Sequence, residues 1–322
     1  MLNLTALMIV RNAEESIARA LESIIPVTQQ IIVVDTGSVD RTPSVATRMG
    51  AEVHFYEWEN DFSKARNYGL QFARYDWVLS IDHDEVLNQK SLLDNFHLTN
   101  QPNVGGLRVQ ITNHVKRGDS YTKTHHTYTR IFRNHPQIRY EGPIHEQIAQ
   151  SILDAGFEII ETDIQIDHYG YSTINIDKIN RNRKILEKVI EENPDDDWAW
   201  FNLAETEFSV ENIDRAQTIY ERLLDSFQLN PEQIEMVRIR LGQIALKKDD
   251  YRKVYNYCNF VSEDQHREGL RLLVWGTALL MEHRFEEAKQ IFDKPELQIS
   301  DMVDKNQIKN ALEVISLVSR KT

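Results

Sequence analysis

The chain has 322 residues and a formal net charge of −13 at pH 7. This charge disfavours nucleic acid and anionic membranes as principal partners, because both are bound through basic patches. Hydrophobic residues make up 41% of the chain, which is enough for a large core, and the single cysteine, Cys258, excludes an intramolecular disulfide and a multi-cysteine zinc site. No apolar run reaches the ~18 residues of a membrane span, and the N-terminal region lacks the basic segment and cleavage site of a leader, so we expect a cytoplasmic protein.

The first hundred residues alternate apolar runs with amphipathic helical patterns. The second helical pattern is expected to begin at Asp40 as its N-cap and to end before Gly50. This alternation predicts a mostly parallel α/β sheet with helices on both faces. The strand-like runs are LTALMIV (4–10), QIIVVD (30–35), AEVHFY (51–56) and WVLSID (77–82).

The segment from 103 to 170 has a different pattern. The runs VGGLRVQITNHV and THHTYTRIFRN are long and alternate apolar with polar residues, and turn signals follow each of them, at KRGDS and RNHPQ. We therefore predict long, antiparallel strands here. A first domain is expected over residues 1–172 and a second over 173–322.

The second domain is predicted to be all-helical and repetitive. When three of its segments are aligned, small residues fall in register, as do the positions twelve and sixteen residues later. This spacing is typical of tetratricopeptide repeats, whose helix pairs need small residues where they cross; a plain helical bundle is the alternative. The aligned triplets are Ala204, Gly242 and Gly276; Ala216, Val254 and Ala288; and Tyr220, Cys258 and Phe292.

Acidic residues follow two of the predicted parallel strands. Asp82 and Asp84 come after WVLS, and Asp35 ends QIIVVD. In extended backbone Asp82 and Asp84 would share one face and His83 would point away. The carboxyl edge of a parallel sheet is where such folds bind ligands, and a divalent cation held by oxygen atoms would relieve the repulsion between the acids. A solvated acidic turn is the alternative for the pair, and a simple turn the alternative for Asp35.

An ordered set of motifs resembles the inverting family 2 glycosyltransferases, which have the Rossmann-like GT-A fold. The motifs are ALMIVRNAEESIARALESI, QIIVVDTGSVDRT, DFSKARNYGLQFARYDWVLSIDHDE and YEGPIHEQI with IDHYGY, and they extend over about the first 170 residues. The chain looks most similar to bacterial members with helical-repeat tails. These include the sublancin-type peptide S-glycosyltransferases and, more distantly, lipopolysaccharide-core β-glucosyltransferases.

The resemblance implies a donor site for a nucleotide sugar. Asp35 would read the uracil of a UDP-sugar, and Asp82 and Asp84 would form the D-x-D motif, with Asp82 facing the ribose and metal and Asp84 binding the metal. His168 falls where the family has a late metal-ligating histidine; a strand-end histidine bonded to backbone is the alternative. The other donor-site residues implied are Arg11, Asn12, Glu14, Lys64, Arg66, Asn67 and His83.

The catalytic base has two candidates. The family carries an acidic pair downstream of the D-x-D motif, and the corresponding residues here are His145 and Glu146. An inverting transfer needs a base about 3 Å from the acceptor nucleophile, and Glu146 is the first choice, with His145 as the rival. His125 and His126 are adjacent in a strand and face opposite ways, so we expect them at the surface or on the acceptor side.

The implied activity is metal-dependent transfer of a hexose from a UDP-sugar, with Mn²⁺ or Mg²⁺ as the cofactor. UDP-glucose and UDP-N-acetylhexosamine are the leading donors, and the helical tail points to a peptide, protein or glycan acceptor or to a homodimer. A nucleotidyltransferase is one alternative, although VRNAEES lacks the expected glycine-rich loop. A catalytically silent repeat scaffold is the other.

Overall fold

The structure is a computed structural model that describes residues 1–117, 120–169 and 176–319. The chain divides into two compact units, Met1–Ile176 and Asp177–Thr322. The predicted boundary between residues 172 and 173 lies outside the described residues.

The first unit is built on one sheet of eight strands. These are β1 Leu4–Val10, β2 Gln30–Asp35, β3 Glu52–Phe55, β4 Trp77–Ser80, β5 Glu85–Leu87, β6 Val104–Arg117, β7 Ser120–Arg133 and β8 Glu158–His168. The spatial order is β3-β2-β1-β4-β7-β6-β8-β5. Strands β1 to β4 pair in parallel, whereas β7 is antiparallel to both β4 and β6. Strand β8 runs parallel to β6 and antiparallel to β5. The predicted parallel first half and antiparallel middle are both confirmed.

Helices cover both faces of this sheet, because alternate residues of its central strands point to opposite sides. On β1, Met8 belongs to one buried cluster and Leu7 to the other. Helix α3 packs closely on the face of Leu7, because a Cβ on Gly69 would overlap Leu7 Cδ1. The helices are α1 Ile17–Ile24, α2 Thr42–Arg48, α3 Phe62–Leu70, α4 Gln89–Asn95 and α5 Ala149–Asp154, with a 3₁₀ turn at Phe96–Asn100.

The start of α2 differs by one residue from the sequence prediction. Arg41, not Asp40, occupies the N-cap position. The Asp40 carboxylate instead accepts hydrogen bonds from the backbone N–H groups of Thr42 and Glu14, and so it joins the start of α2 to the loop after β1. The end of the helix is as predicted, since Gly50 has a φ of +89°.

The second unit consists of helices in the described residues. They are α6 Ile176–Glu192, α7 Asp197–Ser209, α8 Ile213–Leu223, α9 Pro231–Lys247, α10 Tyr251–Cys258, α11 Gln265–Met281, α12 Phe285–Phe292, α13 Pro295–Ile299 and α14 Lys305–Ser319. The aligned small residues lie where paired helices meet. A Cβ on Gly242 of α9 would lie 2.7 Å from Cys258 Sγ on α10, and one on Gly276 of α11 would lie 3.1 Å from the ring of Phe292 on α12. The predicted repeat architecture is confirmed.

Replacing Gly242 by alanine tests this contact. The new methyl group of Gly242→Ala would overlap the Cys258 sulfur in a packed core, at a cost of about 1–3 kcal/mol. The better helix propensity of alanine offsets about 1 kcal/mol, so we expect the free energy of unfolding to fall by about 1–2 kcal/mol. Chemical denaturation measures the change, and the double variant Gly242→Ala/Cys258→Ala should recover part of it. A single variant as stable as the wild type would contradict the close packing.

Candidate active site

The carboxyl end of β2 carries a buried acid, Asp35, whose two carboxylate oxygens have different surroundings. Asp35 is 1% exposed, and its Oδ1 accepts hydrogen bonds from the N–H groups of Gly37 and Ser38, at 2.9 and 2.8 Å. Gly37 has a φ of +102°, which favours glycine at this turn. Oδ2 of Asp35 has no hydrogen-bond partner among the described residues. A buried carboxylate oxygen without a donor is costly, so a ligand that brings an N–H group would be bound favourably here.

The loops that follow β1 and β2 are tied together beside Asp35. The N–H group of Asn12 donates to Ser38 Oγ at 2.9 Å, and Asn12 Oδ1 accepts from the Val39 N–H at 2.9 Å. Glu14 Oε2 accepts from both the backbone N–H and the Nε of Arg41. Asn12 and Glu14 therefore fix the edge at which the two strands end, and the preceding residue, Arg11, is exposed at that edge.

The D-x-D residues lie in a turn, so the expectation of extended backbone was wrong. The turn is closed twice: the Glu85 N–H donates to the Asp82 carbonyl at 3.1 Å, and the Glu85 carboxylate accepts from the Asp82 N–H at 2.9 Å. His83 lies within the turn, and its Nδ1 contacts Ser16 Oγ at 2.7 Å, just before α1. As a result, Asp82 and Asp84 have different hydrogen-bond partners, although the charge of Asp82 acts on Asp84.

Asp82 lies between two arginines. Its Oδ1 is 3.0 Å from Arg66 Nη2 and its Oδ2 is 3.3 Å from Arg130 Nη2. Burial opposes ionisation of this carboxyl, yet the two guanidinium groups hold the pKa of Asp82 well below its usual range. Asp82 therefore neutralises the charges of Arg66 and Arg130, and this role is additional to any contact with a ligand.

Arg66 connects three parts of the site through one buried guanidinium. Its Nε donates to Glu146 Oε1 at 2.6 Å, its Nη1 to Ser80 Oγ at 2.9 Å and its Nη2 to Asp82. Burial by itself would lower the pKa of Arg66, but the charges of Asp82 and Glu146 raise it well above the usual value. Each nitrogen of the Arg66 guanidinium thus donates to a protein group, and Arg66 holds Glu146, Ser80 and Asp82 together.

Two neighbours of Arg66 on α3 have contacts that sequence did not suggest. Lys64 is exposed and pairs with Glu59 at 2.9 Å. The Asn67 amide donates to the Tyr140 carbonyl at 2.8 Å and accepts from the Tyr140 N–H at 2.9 Å. Asn67 thereby ties α3 to the segment that leads to Glu146.

Sequence reasoning missed Arg130 and Glu85. Arg130 Nη2 lies 2.7 Å from Glu85 Oε1, and Glu85 is 1% exposed. Burial raises the pKa of Glu85 against the opposing charge of Arg130. The available signal was weak: an arginine inside the alternating run THHTYTRIFRN, and an acid directly after the D-x-D motif.

Asp84 and His168 are brought together by the pairing of β5 with β8, although 84 residues separate them in sequence. Asp84 Oδ2 lies 3.3 Å from His168 Nε2, and the Asp84 carbonyl accepts from the N–H of Tyr169 at 3.0 Å. Burial opposes ionisation of both groups, but their hydrogen bond lowers the pKa of Asp84 and raises that of His168 above 6.5. His168 contacts two side chains, Asp84 through Nε2 and Asn113 through Nδ1.

The Asp84–His168 pair suits a metal ion that is also bound by a substrate. Within the described ranges, no three histidine, cysteine or acidic side chains are placed to hold a metal ion. One carboxylate and one imidazole supply two ligands, and Mn²⁺ or Mg²⁺ commonly takes its remaining ligands from substrate phosphates and water. Asp84 and His168 fit a divalent cation bound together with a diphosphate.

The candidate bases lie in a short loop before α5. An isolated β-bridge between Glu141 and Gln147 closes the loop. His145 has a φ of +53° and is exposed, whereas the Glu146 side chain is only 13% exposed and faces Arg66. Glu146 thereby contacts the cluster around Asp82 through Arg66.

Comparison with known proteins gives two domain matches. The profile described as Glycosyl transferase family 2 matches residues 5–154, and a tetratricopeptide repeat profile matches residues 183–238. A TPR repeat-containing protein of Synechococcus elongatus is 33% identical over 199 residues, which are 59% of this chain and 48% of that protein. The SPbeta prophage-derived glycosyltransferase SunS of Bacillus subtilis is 25% identical over 206 residues, 62% of this chain and 48% of SunS.

This chain therefore spans about half the length of these curated relatives. Among solved structures, S. aureus TarS 1-349 in complex with UDP-GlcNAc aligns at 15% identity with a TM-score of 0.41, over 90% of this chain and 88% of the TarS 1-349 chain. None of the described helices is long and apolar enough to cross a bilayer.

Proposed function

Because residues 5–154 form a glycosyl transferase family 2 domain, followed by tetratricopeptide-repeat helices, we propose that this chain transfers a hexose from a UDP-sugar to an acceptor, with inversion. The observation that carries the proposal is the Arg66 guanidinium, which joins Glu146 to Asp82. A base candidate and a donor-site acid thereby lie within reach of one side chain. An inverting displacement needs this proximity, because base and leaving group flank the same anomeric carbon.

The donor would be read at Asp35. Its Oδ1 is held by two backbone N–H groups, so Oδ2 is the atom proposed to accept the imide N–H of uracil. Arg11, Asn12 and Glu14 would line the nucleotide pocket at the same edge. UDP-glucose and UDP-N-acetylhexosamine are the proposed donors.

Asp84 and His168 would hold the divalent cation, with Asp82 close by. The cation, Mn²⁺ or Mg²⁺, supplies positive charge to the departing diphosphate. Arg66 contributes indirectly, because its donors are committed to Ser80, Asp82 and Glu146.

Glu146 is the proposed base. Its Oε1 accepts from Arg66, so Oε2 is the oxygen proposed to take the proton of the acceptor nucleophile. The nucleophile then forms its bond to the anomeric carbon while the bond from that carbon to the UDP oxygen breaks. His145 is the second candidate for this proton transfer.

The acceptor is proposed to be a peptide, a protein or a glycan. Stacked helix pairs present extended surfaces that suit peptides and also self-association, so the helical unit would bind the acceptor or form a homodimer. Light scattering of the full chain distinguishes a monomer from a dimer.

Calorimetric binding of UDP, with Mn²⁺ and then with EDTA, tests the donor site. We expect Mn²⁺-dependent binding that Asp84→Ala weakens by at least about 10–100-fold, since loss of a metal ligand should cost no less than loss of an outer-shell partner. Asp94→Ala, which removes an exposed carboxylate on α4, is the matched control and should bind normally. Equal UDP affinity with Mn²⁺ and with EDTA would contradict metal dependence.

The same binding should depend on pH through His168. Its pKa lies above 6.5, and only the neutral ring can bind a metal, so Mn²⁺-dependent UDP affinity should fall as pH decreases through that pKa. Titrations between pH 6 and 9 measure the effect, and His168→Gln should remove the histidine contribution while leaving that of the UDP phosphates. Superimposable profiles for the wild type and His168→Gln would rule out His168 as a ligand.

A further inference from the structure

A buried asparagine joins His168 to a second histidine. Asn113 lies on β6 and is 5% exposed. It is in register with His168 on the parallel strand β8, and its neighbour Ile111 is in register with His126 on the antiparallel strand β7. The Asn113 amide contacts both rings: Oδ1 is 2.8 Å from His168 Nδ1, and Nδ2 is 3.0 Å from His126 Nδ1. Three strands thus meet at one side chain.

The chemistry of the amide determines which atoms carry hydrogen in these two contacts. An amide oxygen only accepts, so His168 Nδ1 must donate to Oδ1; an amide nitrogen only donates, so His126 Nδ1 must accept from Nδ2. A flipped Asn113 would require the opposite pattern, with His126 Nδ1 donating to Oδ1 and His168 Nδ1 accepting from Nδ2, so the tautomers of the two rings are linked through this amide.

We propose that Asn113 is a positioning residue that keeps the neutral His168 ring in the Nδ1–H tautomer, so that Nε2 offers its lone pair to a divalent cation beside Asp84. This inference rests on the proposed metal site. Nε2 is the ring nitrogen 3.3 Å from Asp84 Oδ2, so it is the atom on the side where the cation would be held. The opposite tautomer would place a hydrogen on Nε2 and block binding. Hydrogen bonds of this kind at the far nitrogen commonly set the tautomer of metal-ligating histidines.

Histidine ¹⁵N NMR tests the tautomer without any activity measurement. In the metal-free wild type the Asp84 carboxylate accepts from His168 Nε2 and so favours a hydrogen on that nitrogen, and the spectra are therefore recorded on metal-free Asp84→Ala. The pH is one at which the ring is neutral, and the double variant Asp84→Ala/His168→Gln assigns the signal. We expect the Nδ1–H form in Asp84→Ala. A ring that is mainly Nε2–H in that variant would overturn the inference.

Two substitutions of Asn113 give the second measurement. Asn113→Leu removes the acceptor, and we expect it to weaken Mn²⁺ affinity in the presence of UDP by about 10–100-fold. Asn113→Asp keeps an acceptor oxygen for Nδ1–H, so it should retain affinity within a few-fold and retain the tautomer. Thermal denaturation of both variants controls for folding, and the NMR result on Asp84→Ala does not depend on whether Asn113→Leu folds.

The outcomes separate the two proposals. If the wild type binds no Mn²⁺ with UDP, the proposed metal site fails, whatever tautomer NMR shows. If the wild type binds Mn²⁺ and a folded Asn113→Leu binds it equally well, the metal site stands and the role of Asn113 is overturned. Loss of affinity in Asn113→Asp equal to that in Asn113→Leu would also overturn it, since both variants would then act through packing alone.

Discussion

Replacing Arg66 by methionine should lower the free energy of unfolding of the first unit by about 3–5 kcal/mol. The Arg66 side chain is only 6% exposed and bonds to Asp82 and Glu146. Methionine fills a similar volume but removes the positive charge, so Glu146, whose side chain is 13% exposed, loses its cation and Asp82 keeps only Arg130. Removing one partner of a buried ion pair is costly, because the carboxylate left behind is poorly solvated and has lost its counter-charge.

This loss is measured by urea denaturation of the full chain. The unfolding of each unit is monitored through the fluorescence of a tryptophan in that unit. Arg74→Met is the matched control, since Arg74 pairs with Glu52 at the surface, and it should have a far smaller effect. The double variant Arg66→Met/Glu146→Gln should recover part of the stability, because glutamine carries no charge that needs the Arg66 guanidinium. Equal losses for Arg66→Met and Arg74→Met would show that the buried cluster contributes nothing special.

Glu146→Gln should reduce the transfer rate by about 10²–10⁴-fold, the usual contribution of a general base. Glutamine can still occupy the place beside Arg66 but cannot take a proton from the acceptor. Donor binding should change little, because Glu146 is not proposed to contact the nucleotide. Slow hydrolysis of UDP-glucose or UDP-N-acetylglucosamine, with water as the acceptor and UDP release as the signal, allows the measurement before the natural acceptor is identified.

Two further variants decide between the candidate bases. Glu141→Gln changes an exposed acid of the same loop and should leave turnover near the wild-type level. His145→Ala should cost far less than Glu146→Gln. If His145→Ala abolishes hydrolysis while Glu146→Gln retains it, His145 is the base and the assignment of Glu146 is wrong.

Part of the site was predictable because each signal is local. Asp35 and Asp82 each follow an apolar run, and parallel strands deliver their carboxyl ends to one edge. The positions of Gly242 and Cys258 were also predictable from a local signal, because these residues are sixteen positions apart and the same spacing recurs in the repeats. The turn at Asp82 to Asp84 was missed because the rule of alternation applies only while the strand continues, and Glu85 closes a turn there.

The sequence by itself determined the order of strands and helices, the repeat register and the acids at the sheet edge, since these depend on hydrophobic period and on neighbours within a few positions. Only the tertiary structure decided which groups pair: Arg66 with Glu146, Asp82 with Arg130, and His168 with Asn113. These partners are between 48 and 80 residues apart. Charge and hydrogen-bonding groups carry no label for a distant partner, and burial in one small volume makes the choice between them.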